Sequence, residues 1–453
     1  MLDDKNQTGF IRTLGRWDVL ALSFGAMIGW SWVILTGRWI SDAGTLGAII
    51  AFAVGGLAII FVGLTYAELA SAMPKAGGEH VYTHRAMGPN YSFICTWAVV
   101  LAYTATSAFE SVALPSVVTY IFPNFEQHLL WNIEGQDVYL TSVILAMVVS
   151  AIMTWINIMG IKTAAFVQTL TTGFILLGGI LFLTGATMNG STQNMDPLFA
   201  GGTSGILLVL VLVPTMMVGF DVIPQSAEEI DLPFKEVGNL IMISLALATL
   251  WYILMIYGVG LSLGEEGREV ADLVTPDAAA AAWSSPNIGI ALVLAGMMGI
   301  ITSWNAFIIG GSRAIYALAR SGQLPEVFGR LHPKYRTPHN AVLLIGILCF
   351  IAPLFGRQIL IWMVDTSSFG ITIAYAMVAI AFLKLRKTEP DMPRPFKVKY
   401  GRTVGWFAFL SSLGLIFLFM PGSPAALIWP QEWAIVGGWS LFGLILVQLG
   451  KKT

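Results

Sequence analysis

The chain has 453 residues, 56% of them hydrophobic and only 11% charged, with a formal net charge of −2. A soluble domain carries about 25% charged residues, so this balance excludes an ordinary soluble enzyme and leaves no basic face for nucleic acid. Cys95 and Cys349 both fall inside apolar runs, which argues against a disulfide framework.

Apolar runs of roughly 20 residues, long enough to span a bilayer, fall near 17–40, 45–72, 92–122, 138–158, 163–187, 204–230, 237–263, 286–319, 340–356, 359–383, 404–421 and 431–449. The fold expected is an all-α membrane protein with 12 transmembrane helices, so both termini lie on one side of the lipid bilayer. Positive charge tests that. Of the 24 Lys and Arg, only Arg38, Arg268 and Arg357 fall on the side opposite the termini. The bias predicts cytoplasmic termini in a multi-pass protein of the cytoplasmic membrane. The polar stretch through Arg16 reads as a tail before a full-length span, with no cleavable signal.

The first span is interrupted by Gly25-Ala26-Met27-Ile28-Gly29-Trp30-Ser31-Trp32. Two glycines and a serine weaken a helix there. Backbone freed at membrane depth is tolerated only where protein buries it or where it lines a cavity. A second half-helix starting near Trp30 would aim unpaired N–H groups and a positive dipole end at that cavity, a site for a carboxylate. A glycine pair also serves simply to let two helices pack closely.

The outer loops at 123–137, with Glu126, Glu134 and Asp137, and at 264–277, with Glu265, Glu266, Glu269, Asp272 and Asp277, read as solvated. The sixth span is broken by Pro214, Gly219 and Pro224, with Asp221 between them. Interruptions five spans apart point to a transporter site at a repeat interface. They imply a 5+5 inverted repeat with broken helices 1 and 6, and two added spans. The chain then divides into a tail at 1–16, a first repeat at 17–187, a second at 204–386 and the added spans at 404–450, all within one transport domain.

Glu110, in the third span, is a buried carboxylate that can cycle a proton or meet a substrate amine. Asp221, beside a break, is read the same way, as a coupling or gating group. Glu228 and Glu229 suit a closing salt bridge or a solvated face, and Glu68 an inner gate or packing network. Thr302 and Ser303 are hydroxyls that suit sodium or helix packing. His80 and His84 are spaced for a metal, yet no third ligand is evident. No His-Glu-x-x-His motif and no phosphate-cradling loop occurs, so no cofactor is expected. The glycine runs Gly55-Gly56 and Gly310-Gly311 read as packing.

Tyr66-Ala67-Glu68-Leu69 and Pro74-Lys75-Ala76-Gly77-Gly78-Glu79-His80-Val81-Tyr82 resemble the second-span and loop signature of amino acid–polyamine–organocation (APC) permeases. So do Gly219-Phe220-Asp221 with Ala227-Glu228-Glu229, Arg313 with Tyr316–Gly322, and Glu389–Phe396. The resemblance implies the inverted-repeat APC fold and secondary transport of amino acids or related amines. It implies that amides of Gly29, Trp30 and Ser31 hold a substrate carboxylate. Carbonyls of Met27, Thr215 and Val218 would hold its amine, with Gly219 in the second break and Phe307 at an aromatic gate. The sequence departs from the family pattern in three places. Trp30 and Trp32 replace small residues, Ile175 falls where sodium-independent members can carry a lysine, and His80 replaces an aromatic. The function expected is proton-coupled symport or exchange of a small amino acid or amine. Sodium coupling, a passive facilitator and a transport-like sensor are the alternatives.

Overall fold

In lipid every backbone polar group must be satisfied within the chain, so apolar runs of this length fold as helices. The computed structural model describes residues 9–133, 135–356 and 359–450. The charges at Lys5, Arg357, Lys451 and Lys452, and Glu134 of the 123–137 loop, lie outside the described residues.

The first apolar run folds as three pieces, α1 (Arg16–Met27), α2 (Ser31–Ile34) and α3 (Thr36–Ala43). Then come α4 (Thr45–Ala72), the short α5 (Glu79–Met87) and α6 (Pro89–Ile121). After α7 (Leu140–Ile158) and α8 (Ile161–Asn189), the sixth run gives α9 (Gly202–Met216) and one turn, α10 (Val222–Gln225). The second half continues with α11 (Phe234–Ser262), α12 (Glu265–Val270), α13 (Val274–Trp283) and α14 (Pro286–Arg320). It ends with α15 (His339–Ile351), α16 (Ile359–Thr388), α17 (Gly401–Leu418) and α18 (Gln431–Gly450). Among the described residues, ten helical stretches are long and apolar enough to cross a membrane. Two shorter apolar ones, Gly202–Met216 and His339–Phe355, stand where runs six and nine are predicted. The proline and glycine at the ends of these two cut them short.

The centre is α1, α4, α6, α9, α11, α14 and α16. α4 packs on α11, α6 on α14, α1 on α8, and α9 on α16. Missing side chains allow the close approaches. A Cβ on Gly55 would sit 2.8 Å from Val213, and one on Gly311 would sit 2.7 Å from Ile345. The helices α17 and α18 attach outside, where Trp97 and Trp439 stack with centroids 4.8 Å apart.

The loop at 123–137 is largely exposed as expected, and within it Leu129–Ile133 (β1) and Gln136–Tyr139 (β2) pair as an antiparallel hairpin; the loop at 264–277 needs a correction. Trp131 and Val138 are good strand formers, and that signal is visible in the sequence. The second loop is largely helical. Glu265, Glu266, Glu269 and Asp272 are exposed as expected. The alanine-rich α13, however, is inserted against α8, α11 and α14. Its Thr275 hydroxyl donates to the Trp32 carbonyl at 2.7 Å, and Asp277 accepts from the Tyr120 hydroxyl at 2.6 Å.

Candidate substrate site at the two helix breaks

α1 stops at Met27 and α2 starts at Ser31, so Ile28, Gly29 and Trp30 run outside helix. α14 makes room for this strand of backbone with glycines. A Cβ on Gly299 would lie 2.6 Å from the Gly29 carbonyl, and one on Gly296 would strike the Trp30 ring at 2.7 Å. The Trp30 amide points at Glu110 of α6, whose Oε1 lies 3.4 Å away. Glu110 is 2% exposed and its Oε2 has no hydrogen-bond partner. Ser303 of α14 converges on the same point above Gly29. Opposite, the Tyr252 hydroxyl of α11 donates to the Met27 carbonyl at 2.6 Å and lies 2.9 Å from the Ser31 hydroxyl.

α9 stops at Met216 and the chain turns through Val218 and Gly219 before α10. Gly219 has φ +135°, which a side chain would strain, and a Cβ there would lie 2.7 Å from Ala26. The two breaks therefore touch each other. The Gly219 amide donates to Asp221 Oδ1 at 2.8 Å, and Asp221 is fully buried. Val218 is buried, and its amide bonds the Thr215 carbonyl at 3.1 Å. The Thr215 hydroxyl bonds Ser368 of α16.

Between the breaks lies a small cavity of about 30 Å³, enough for one or two waters. Of the residues singled out in the sequence, Met27, Gly29, Ser31, Thr215, Phe307, Glu110 and Ser303 line it. Trp30, Val218, Gly219 and Asp221 stand behind it. The Trp30 ring is turned onto Gly296, and Trp32 packs edge-on against Trp251 at 5.4 Å. Neither indole offers its face to the cavity. Phe109 and Val364 separate it from a second, apolar cavity of about 260 Å³ that reaches Arg38 and Asp365. Thr302 sits at the far side of the break and donates to the Gly25 carbonyl at 2.9 Å. Ile175 is buried, and neutral Gln168 and Asn305 serve the neighbouring backbone instead.

Toward the end of α10 a second polar cluster is closed by aromatics. Tyr66, Phe220 and Tyr375 meet with centroids 5.1–5.8 Å apart. Glu79 of α5 accepts from Gln225, and burial, followed by the Asp221 carboxylate, raises it well above its ordinary 4.5. A raised acid favours the neutral form, so the stability it supports is complete below that ordinary value and is lost as pH climbs through the raised one. Above about pH 6.5, where His80 no longer contributes a slope, the melting temperature in detergent should therefore fall as pH rises toward 8, and Glu79→Gln should flatten that slope. An unchanged slope in the variant would remove Glu79 as its source. Neighbouring His80 is pushed down to about 4, by burial and then by His84, so it stays neutral near pH 7.

Beyond this cluster three acids tie the ends of spans together. Glu68 meets Arg386 at 2.5 Å and Arg394 at 3.0 Å, Glu229 meets Arg313 at 2.9 Å, and Glu228 accepts from the Ala76 amide at 3.2 Å. The salt-bridge reading of Glu229 and the network reading of Glu68 match these contacts. Tyr252 and Glu79 escape sequence reasoning as site residues. Tyr252 is one tyrosine in an apolar run, and only tertiary packing brings it to Met27.

Residues 14–445 match the family described as amino acid permease. The branched-chain amino acid permease BcaP of Bacillus subtilis is 28% identical over 414 residues, covering 89% of this chain and 87% of that protein. The methylthioribose transporter of the same organism is 25% identical, with 91% and 88% covered. The histidine permease HisP of Lactococcus lactis is 26% identical, with 95% and 91% covered. A match over nearly the whole length, on a helical membrane chain broken at two points around one cavity, places this protein in the amino acid permease family of the APC superfamily.

Proposed function

We propose that this permease carries a small amino acid or related amine across the cytoplasmic membrane by alternating access, coupled to protons through Glu110. The observation that carries the reading is the Glu110 carboxyl set against the Trp30 amide, on the backbone where a substrate carboxylate would bind. An ionised Glu110 repels that carboxylate. A protonated one is neutral and can share the site. Proton and substrate therefore favour each other's binding, and linkage makes this reciprocal. Asp221, behind the second break, acts as the gating acid. The lining of Ala26, Phe109, Met216, Phe307 and Met363 suits a substrate with an apolar side chain. A cavity of one or two waters must widen to admit it, and the glycine-lined breaks are the parts free to move.

Packing supports the inverted repeat and the twelve crossings. In such a repeat, α1 on α8 is mirrored by α9 on α16, and α6 on α16 by α14 on α8. The pairs α4 with α11, α6 with α14 and α7 with α15 meet across the axis, and each of these contacts is present. On the charge bias, both termini face the cytoplasm.

Uptake into proteoliposomes under an imposed pH gradient, with and without sodium, is the test. Wild-type uptake should rise with an inward proton gradient, and Glu110→Gln should lose that response. A variant that follows the gradient normally removes Glu110, and uptake indifferent to pH but dependent on sodium removes the proton mechanism. Thr302 beside the Gly25 carbonyl, with Ser303 next to it, is the place a sodium ion would then occupy.

A further inference from the structure

A groove of about 850 Å³ runs between the end of α16 and the start of α17, far from the central cavity. Lys384, Lys387 and Arg402 stand along it, all three exposed. Among the described residues none of the three forms an ion pair. Among the described residues, no acid lines the groove. Its remaining wall is Ile380, Leu383, Trp406 and Phe409, one turn further along the same two helices, with Arg386 at the base. Arg386 is already engaged, through Nε and Nη2, with Glu68 and the Val398 carbonyl. Charge is thus gathered at one end of the groove and apolar surface at the other, which is the polarity of a phospholipid.

We propose that this groove binds one anionic phospholipid. Its phosphate lies among Lys384, Lys387 and Arg402, and an acyl chain lies on Ile380, Leu383, Trp406 and Phe409. Like-signed side chains from two helices hold each other's charge unfavourably until an anion arrives, and basic pockets between membrane helices recognise such headgroups. A zwitterionic lipid brings its own ammonium into the same cluster and gains less. The inference rests on the multi-pass reading and on the sidedness given by the charge bias, but not on transport activity.

Native mass spectrometry of the full chain, offered equal phosphatidylglycerol and phosphatidylcholine, tests it without any transport assay. Wild type should retain one phosphatidylglycerol with a preference of about tenfold. The triple variant Lys384→Gln, Lys387→Gln, Arg402→Gln should fall to within about twofold. A control triple, Lys162→Gln, Lys235→Gln, Lys334→Gln, removes the same charge from exposed positions elsewhere and should keep the preference. Equal retention of both lipids by wild type overturns the proposal. So does a preference that survives in the groove variant, or one lost equally in the control.

Discussion

Replacing Arg313 with methionine should lower the stability of the permease by about 3–5 kcal/mol. The Arg313 and Glu229 side chains are 1% and 2% exposed, and the guanidinium donates to both carboxylate oxygens at 2.9 Å. Such a bidentate pair holds together only while both charges are present. Removing the arginine leaves the Glu229 carboxyl buried without its counter-charge and without both its hydrogen bonds, which costs more than the pair itself contributes. The pair also clamps three segments. The Glu229 carbonyl accepts from the Thr13 and Leu14 amides, Phe10 lies under the guanidinium at 5.7 Å, and Arg313 belongs to α14. The double variant Arg313→Met, Glu229→Met should recover most of the loss, because apolar replacement of both partners is near neutral. Thermal unfolding in detergent measures both. A single variant within about 1 kcal/mol of wild type would show that the clamp carries no stability.

The largest effect on transport is expected at Gly29. A Cβ there would overlap Glu110 Oε1 and lie 2.8 Å from the Ser303 Cβ. Gly29→Ala must therefore push Glu110 off the Trp30 amide or push α6 and α14 apart. Displacing a binding group by about 1 Å commonly costs around a hundredfold in rate. Uptake by Gly29→Ala should fall by about that factor, with a stability loss of about 1–3 kcal/mol from overpacking that thermal unfolding measures separately. Gly438→Ala is the control, since nothing lies within 4 Å of a Cβ at that exposed position of α18. Gly29→Ala transporting at the wild-type rate would mean that the first break is not where substrate binds.

Much of the architecture is written locally. The apolar runs, the glycines at 25 and 29, and the Pro214–Gly219 interruption each act on their own few residues, so both breaks are legible without coordinates. Glu110 is legible because a carboxylate inside an apolar run needs a reason to be there. The orientations of Trp30 and Trp32 are not legible, because the room for the Trp30 ring comes from Gly296, more than 260 positions further along the chain. Tyr252 and Glu79 are missed for the same cause. α13 is missed because its alanines carry too little apolar surface to announce a buried helix, although Ala278, Ala279 and Ala282 are all buried.

The hydrogen bond from Thr275 to the Trp32 carbonyl ties α13 to α2, the second piece of the first broken helix. That piece is short and has little structure of its own to resist displacement. A shift of that piece therefore strains α13 as well, and α13 is buried along most of its length against α8, α11 and α14.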